Sequence, residues 1–209
     1  MIEKEVFEKI KNEHGIYASW AVWKDEGSTP TSNITDLSLL DLDNNPQILQ
    51  VLKPNIVMVG LNWGGHDGVI NKDKLQHIQP FSNFHSASPY KDYNIRYAFR
   101  DTEFYGAYLT DIIKFYSATN ADKNYLYDQK VLEENKRLFE AELNDLGCKN
   151  KLIIAFGGET FKILKKLFGN KFNIIQVLQF TARQANNKEN YRELVLKKLK
   201  DSNAQCLTP

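Results

Sequence analysis

The chain has 209 residues, 42% hydrophobic, 12% aromatic and 25% charged, with a formal net charge of +1. With a mean hydropathy of -0.48, this is the make-up of a soluble globular protein that buries roughly 70% of its unfolded surface without disulfides or a structural metal. It argues against long disorder and against a membrane span, since no run approaches ~18 consecutive apolar residues; two cysteines, Cys148 and Cys206, are too few for a disulfide framework, an iron–sulfur cluster or a four-cysteine zinc site.

The opening stretch MIEKEVFEKIKNEHG is acidic and amphipathic, which reads as a helix and not as a signal or transit peptide, so the cytosol is the expected compartment. Ile2, Val6, Phe7 and Ile10 place that helix at 2–13, and Gly15 stops it. Asn45 and Pro46 resemble an N-cap and first-turn proline for a short helix through Leu52. Pro54 separates it from NIVMVG, residues 55–60, a short apolar run that reads as a buried strand. The glycine-rich loop GLNWGGHDG follows. No long periodic element is visible over 64–103, and loops of that length are often functional. YGAYLTDIIKFYS reads as a strand or turn feeding a short helix.

Residues 128–146 give the clearest helix, with Val131, Leu132, Leu138, Phe139, Leu143 and Leu146 on one stripe and Gly147 behind them. KLIIAFG (151–157) is a second buried strand, GETFKILKKLFG an amphipathic helix and NIIQVLQF a third strand. After TARQANN, residues 188–200 form a basic helix. Alternating strands and helices imply a parallel sheet covered by helices. Ligands of such sheets bind at the carboxyl ends of the strands, so the loops at 61–68, 157–160 and 179–187 are expected to converge. No linker or repeat divides the chain, which reads as a single domain over 1–209. Residues 1–50 read as a helical extension or layer on a core at 55–200.

Charge is unevenly spread. Residues 1–46 hold four basic and nine acidic side chains, and residues 149–200 hold twelve basic and three acidic. Such a chain can offer a cationic face to a polyanion, or simply solvate the outer faces of two helices.

Several clusters carry chemistry. VMVGLNWGG would hold the Asn62 amide at a strand end beside glycines that let a ligand approach, or be an ordinary strand-to-loop turn. It is not a GxGxxG fingerprint, and no GxxxxGK[ST] loop occurs. In PFSNFH, Phe81 or Phe84 would stack on a planar ligand while Asn83 reads its edge; equally, both rings would be core plugs. Thr110–Asp111 reads as an N-cap or as a pair that orients the pocket loop. His14, His66, His77 and His85 fit no zinc motif; His66 with Asp67 would be the one pair for a metal or phosphate. No G-x-S-x-G elbow exists, and neither cysteine has a base nearby in sequence.

Together these segments resemble the uracil-DNA glycosylase superfamily over about residues 55–200. VMVGLNWGG is similar to its first motif, a strand ending in Gly-x-Asn-Pro-Gly, with Asn62 at the catalytic position and Trp63 in place of proline. PFSNFH resembles the element that supplies the base-stacking aromatic, Phe84 first and Phe81 second. YGAYLTDIIK resembles the Gly-x-x-x-Thr-Asn/Asp element, and KLIIAFGGETFKILKK the central strand and helix. VLQFTARQANN occupies the place of the second motif, where many relatives carry a histidine, a small residue and serine; here Gln179, Phe180 and Thr181 stand.

The resemblance implies a three-layer α/β/α fold with a central, mostly parallel sheet. It implies a monofunctional DNA glycosylase that needs no metal or cofactor. Asn62 would hold a water by its side-chain carbonyl, since an amide is no general base. Gly60, Leu61, Phe81, Asn83, Phe84, Gln179 and Thr181 would bind uracil or a related damaged base. Arg183, Lys188 and Arg192 would contact phosphates of single-stranded or mismatched DNA. The expected chain is a monomer that does not engage membranes. A silent binding protein of the same fold, for nucleic acid or a protein partner, is the alternative, and a different α/β enzyme or small-nucleotide binder is the third reading.

Overall fold

The apolar run at 55–60 is the middle of a longer strand at the heart of a sheet. The structure, a computed structural model, describes residues 1–24, 35–63, 78–85, 91–114, 126–147 and 151–202. Helix α1 (Lys4–His14) leads to the short strand β1 (Ala18–Trp20). A 3-10 turn at Ser38–Leu40 and helix α2 (Ile48–Val51) precede β2 (Lys53–Asn62). Helix α3 (Tyr93–Phe99) comes before β3 (Ala107–Ile113). Then follow α4 (Gln129–Asp145), β4 (Leu152–Phe156), α5 (Gly158–Phe168), β5 (Asn173–Val177), a 3-10 turn at Arg183–Asn186 and α6 (Lys188–Asp201).

The sheet order is β1-β3-β2-β4-β5. Strands β2, β3, β4 and β5 are parallel, and β1 adds antiparallel to β3. Side chains alternate across the sheet. Val57 and Val59 join Phe7, Ile10, Phe139, Leu143, Ile163 and Leu164 on the face covered by α1, α4 and α5. Ile56 and Met58 join Ile95, Phe99, Tyr191, Val195 and Leu199 on the face covered by α3 and α6. Each such large apolar side chain contributes roughly 1.5–3 kcal/mol when fully buried. The result is an α/β arrangement with helices on both faces of a mostly parallel sheet, consistent with three layers.

Helices α4 and α6 start where their caps dictate. Asp128 accepts from the amides of Lys130 and Val131 at 2.9 and 3.1 Å, and Asn187 from that of Asn190 at 2.7 Å.

Several expectations need correction. Residues 1–50 are not only a helical layer, because they also supply edge strand β1. Asn45 does not cap a helix; its amide closes the preceding turn on the Leu39 carbonyl at 2.8 Å, and α2 starts after Gln47. Pro54 lies within β2, where the register on β3 shifts between Lys53 and Val57, the kind of irregularity that tolerates a proline. The segment 107–113 is all strand, so Asp111 caps nothing. Strand β5 stops at Val177, and Leu178–Phe180 leave the sheet. Helix α3 arises within 64–103, where only short-range periodicity exists.

Candidate active site

The chain passes from β2 to β3 on one side and then crosses to β4 on the other. Strands β2 and β4 therefore flank the point where the winding direction reverses, and sheets of this kind bind their ligands beyond the carboxyl ends at that point. At the end of β2 stand Gly60, Leu61 and Asn62. At the end of β3 stands Asp111, in register with Gly60.

Gly60 is the point of closest approach. A Cβ there would overlap Asp111 Oδ1 and come within 3.2 Å of Phe84 Cζ. Only glycine lets the carboxyl and the ring edge meet over the strand.

Asp111 is 4% exposed. Burial pushes its carboxyl up to about 7, opposed by a hydrogen bond from Asn83 and by the positive charge of Lys114. A single carboxylate inside the apolar strand AYLTDII is a costly placement, and such placements cluster at functional sites.

Asn83 holds this carboxyl in place. Its Nδ2 donates to Asp111 Oδ2 at 2.9 Å and to the Tyr17 carbonyl at 2.8 Å. Its Oδ1 accepts from the Phe84 amide at 3.1 Å. Both amide hydrogens are thus committed within the protein, which corrects the expectation that Asn83 reads a ligand edge. It orients Asp111, whose other oxygen lies over Gly60. The hint in the sequence was the lone charge in an otherwise apolar strand.

The loop carrying Asn83 is sharply turned. Phe81 and Phe84 both have positive φ, 69° and 62°, a costly conformation for bulky residues. The Phe81 amide donates to the Gly15 carbonyl at 2.6 Å, and Ser19 Oγ donates to the Phe81 carbonyl at 2.8 Å. These bonds hold the turn so that its two rings go to opposite faces of the sheet. Phe81 is 1% exposed and packs on Phe7 at 5.4 Å. It is a core plug on the α1 side, not a stacking residue. Phe84 joins the core on the α3 and α6 side, with Phe180 edge-on at 6.2 Å; Phe180 in turn meets Phe156 at 5.4 Å.

Asn62 ends β2, half-buried and in register with Ile113. Leu61 packs into the α1-side core. At the end of β4, Gly157 has φ 87°, and a Cβ there would lie 3.3 Å from that of Gln179. The Gln179 side chain covers this glycine, and its buried Oε1 has no partner among the described residues. Thr181 is exposed. The backbone of this loop is tied by Asn94, a residue that no local pattern singles out. Its Nδ2 donates to the carbonyls of Phe180 at 2.8 Å and Ala185 at 3.0 Å.

The three expected phosphate contacts separate. Arg183 is exposed. Lys188 lies over the Tyr97 ring at 5.1 Å. Arg192 Nη1 donates to the carbonyls of Tyr97, Ala98 and Arg100 at 2.7, 3.1 and 2.8 Å. These are end carbonyls of α3, so Arg192 closes a helix terminus. That role corrects its reading as a phosphate contact.

His66, Asp67 and His77 lie outside the described residues. Among the described residues, no group of three or more His, Cys, Asp and Glu side chains is placed to hold a metal ion. Nor is any helix there long and apolar enough to cross a membrane. In comparisons with known proteins, no family model and no curated sequence matches this chain.

Proposed function

We propose that the chain is a DNA glycosylase that draws uracil or a related damaged base to the carboxyl ends of β2 and β3 and hydrolyses its N-glycosidic bond. The observation that carries this reading is the buried Asp111 carboxyl, held by Asn83 over Gly60 and flanked by Phe84, beside the strand end that bears Asn62.

A leaving pyrimidine carries negative charge on its ring carbonyls. A carboxyl that titrates near neutrality can be protonated there and donate a hydrogen bond to the developing anion. Asn62 holds the water by its side-chain carbonyl. The water oxygen bonds to the sugar C1′ as the C1′–N bond breaks. The bonding pair stays on the base, and the water's proton passes to the departing base or to solvent. Phe84 and Phe180 form the apolar wall that keeps bulk water out. The base must leave the helical stack first, which favours mismatched or single-stranded targets.

Base release from labelled oligonucleotides tests this. Uracil is presented in single strands and opposite guanine or adenine, with alkaline cleavage as readout and Asn62→Ala and Asp111→Ala as controls. Release lost in both controls supports the assignment. The Gln179–Phe180–Thr181 stretch offers an amide, a buried ring and an exposed hydroxyl, but no cation. That favours a second reading, a silent binder. DNA binding with no release of uracil, hypoxanthine, xanthine or oxidised pyrimidines would select it.

A further inference from the structure

Strand β5 is the edge of the sheet, and among the described residues it pairs only with β4. The Gly157 amide donates to the Val177 carbonyl at 2.9 Å, so Val177 points its backbone groups toward β4. In a parallel ladder the two backbone groups of a residue point to one side, and alternate residues to opposite sides. Ile174 and Gln176 therefore point their N–H and C=O groups outward, with no ladder partner among the described residues.

This edge is not flat. It forms one wall of an open groove of about 680 Å³ that runs from Asn173 to Gln179, with Phe161 of α5 and Lys198 and Ser202 of α6 as the facing walls. Natural proteins usually cover or blunt such an edge. Here the outward backbone groups, unpaired among the described residues, lie along a groove that also holds an apolar ring and a cation.

We propose that the β5 groove binds an extended, acidic segment of a partner protein, which adds as a sixth strand to the sheet. Outward groups of Ile174 and Gln176 supply main-chain hydrogen bonds, and alternate side chains of the added strand meet Phe161 and Lys198. Charge selects this occupant over two others. Lys198 lines the groove and Lys197 and Lys200 are exposed beside it on α6, whereas Lys162 is paired with Glu159 at 2.8 Å. A second copy would therefore set these α6 lysines against their own equivalents. A nucleic-acid strand would need a row of cations and stacking rings, whereas one lysine and one half-buried phenylalanine line this groove.

Titrating the full chain with fluorescein-labelled eight-residue peptides is the test. One peptide alternates valine with glutamate, one alternates valine with lysine, and oligo-dT serves as the rival probe. Amide exchange reports the site. The expected result is saturable binding of the glutamate peptide, at least tenfold weaker binding of the lysine peptide, and new protection at the Ile174 and Gln176 amides. Lys198→Glu, an exposed change, should weaken binding at least tenfold. Gln176→Pro removes one outward N–H and leaves the β4 side of the ladder alone, and it should do the same. The proposal fails if neither peptide protects those amides or if Lys198→Glu leaves binding unchanged. It also fails if oligo-dT protects them in place of the peptide, or if sedimentation shows a dimer that Gln176→Pro dissolves.

Discussion

Asn83 donates to Asp111 across 2.9 Å from a loop whose two phenylalanines are held at positive φ. The strained turn and the buried carboxyl are therefore one device. The turn fixes the amide, and the amide fixes which carboxyl oxygen faces Gly60. A buried carboxyl without this donor would lose its orientation and the bond that favours its ionised form.

Asn83→Ala should cost roughly 1–3 kcal/mol, because it leaves the Tyr17 carbonyl and Asp111 Oδ2 without their donor. Chemical denaturation reads that loss. The same variant should move the Asp111-dependent inflection of the pH–activity profile to higher pH, since the bond it removes lowers the carboxyl's pKa. An unmoved inflection would show that Asn83 does not tune Asp111.

The Asp111 carboxyl stands at about 7 in the fold, above its ordinary value of 3.8. Between these limits the unfolded chain has released the proton that the folded chain still binds. Stability from this group therefore falls as pH rises from about 4 to about 7, by at most roughly 1.4 kcal/mol per pH unit. Asp111→Asn removes the dependence. The melting temperature of the variant minus that of the parent should climb across the window and level off above it. A flat difference would contradict burial as the main cause of the shift.

The elements most legible in the sequence were those set by strong local patterns. Helix α4 shows its apolar stripe and its Asp128 cap, and β4 and β5 are short apolar runs between glycines and polar turns. Strand β1 was not legible: three residues carry no period, and only pairing with Tyr108–Thr110 makes them a strand. At the site, Gly60 and Phe84 were legible from the glycine-rich junction and the aromatic cluster. Asp111 was visible as an odd charge, yet its partner sits 28 residues earlier, so local reading left it between a cap and an orienter of the pocket loop. Arg192 looked like a free cation in a basic helix. Its true partners are carbonyls more than ninety residues away, and no local pattern reports them.

Arg192 and Arg183 should respond oppositely to substitution. Arg192→Ala strips three carbonyls at the end of α3 of a charged donor and should destabilise the fold by roughly 1.5–3 kcal/mol. Lysine should not fully restore it, because one ammonium lacks the planar fork. Arg183→Ala should leave the melting temperature unchanged. If Arg183 meets a phosphate, its loss should lower the slope of log affinity against log salt by about 1. Equal effects of both variants on stability would refute this division.

Behind the site, Lys114 and Glu142 form an ion pair with both side chains fully buried. Lys114 also donates to Thr110 Oγ1 at 2.6 Å, and Glu142 Oε1 accepts from Tyr108 and Thr110, each at 2.7 Å. The Lys114 ammonium lies 4.8 Å from the centre of the Tyr17 ring. Burial holds its pKa below the ordinary lysine value, with Glu142 acting the other way. Desolvation of two charges nearly cancels their attraction, so the pair adds little net stability, but stranding either member is severe. Lys114→Met alone should therefore cost roughly 3–5 kcal/mol. The double variant Lys114→Met, Glu142→Gln should cost clearly less, since the amide oxygen still accepts from Tyr108 and no charge remains buried. Urea titration of the four proteins gives the coupling. A double variant no more stable than Lys114→Met would mean that the network works through packing around α4 and not through its charges.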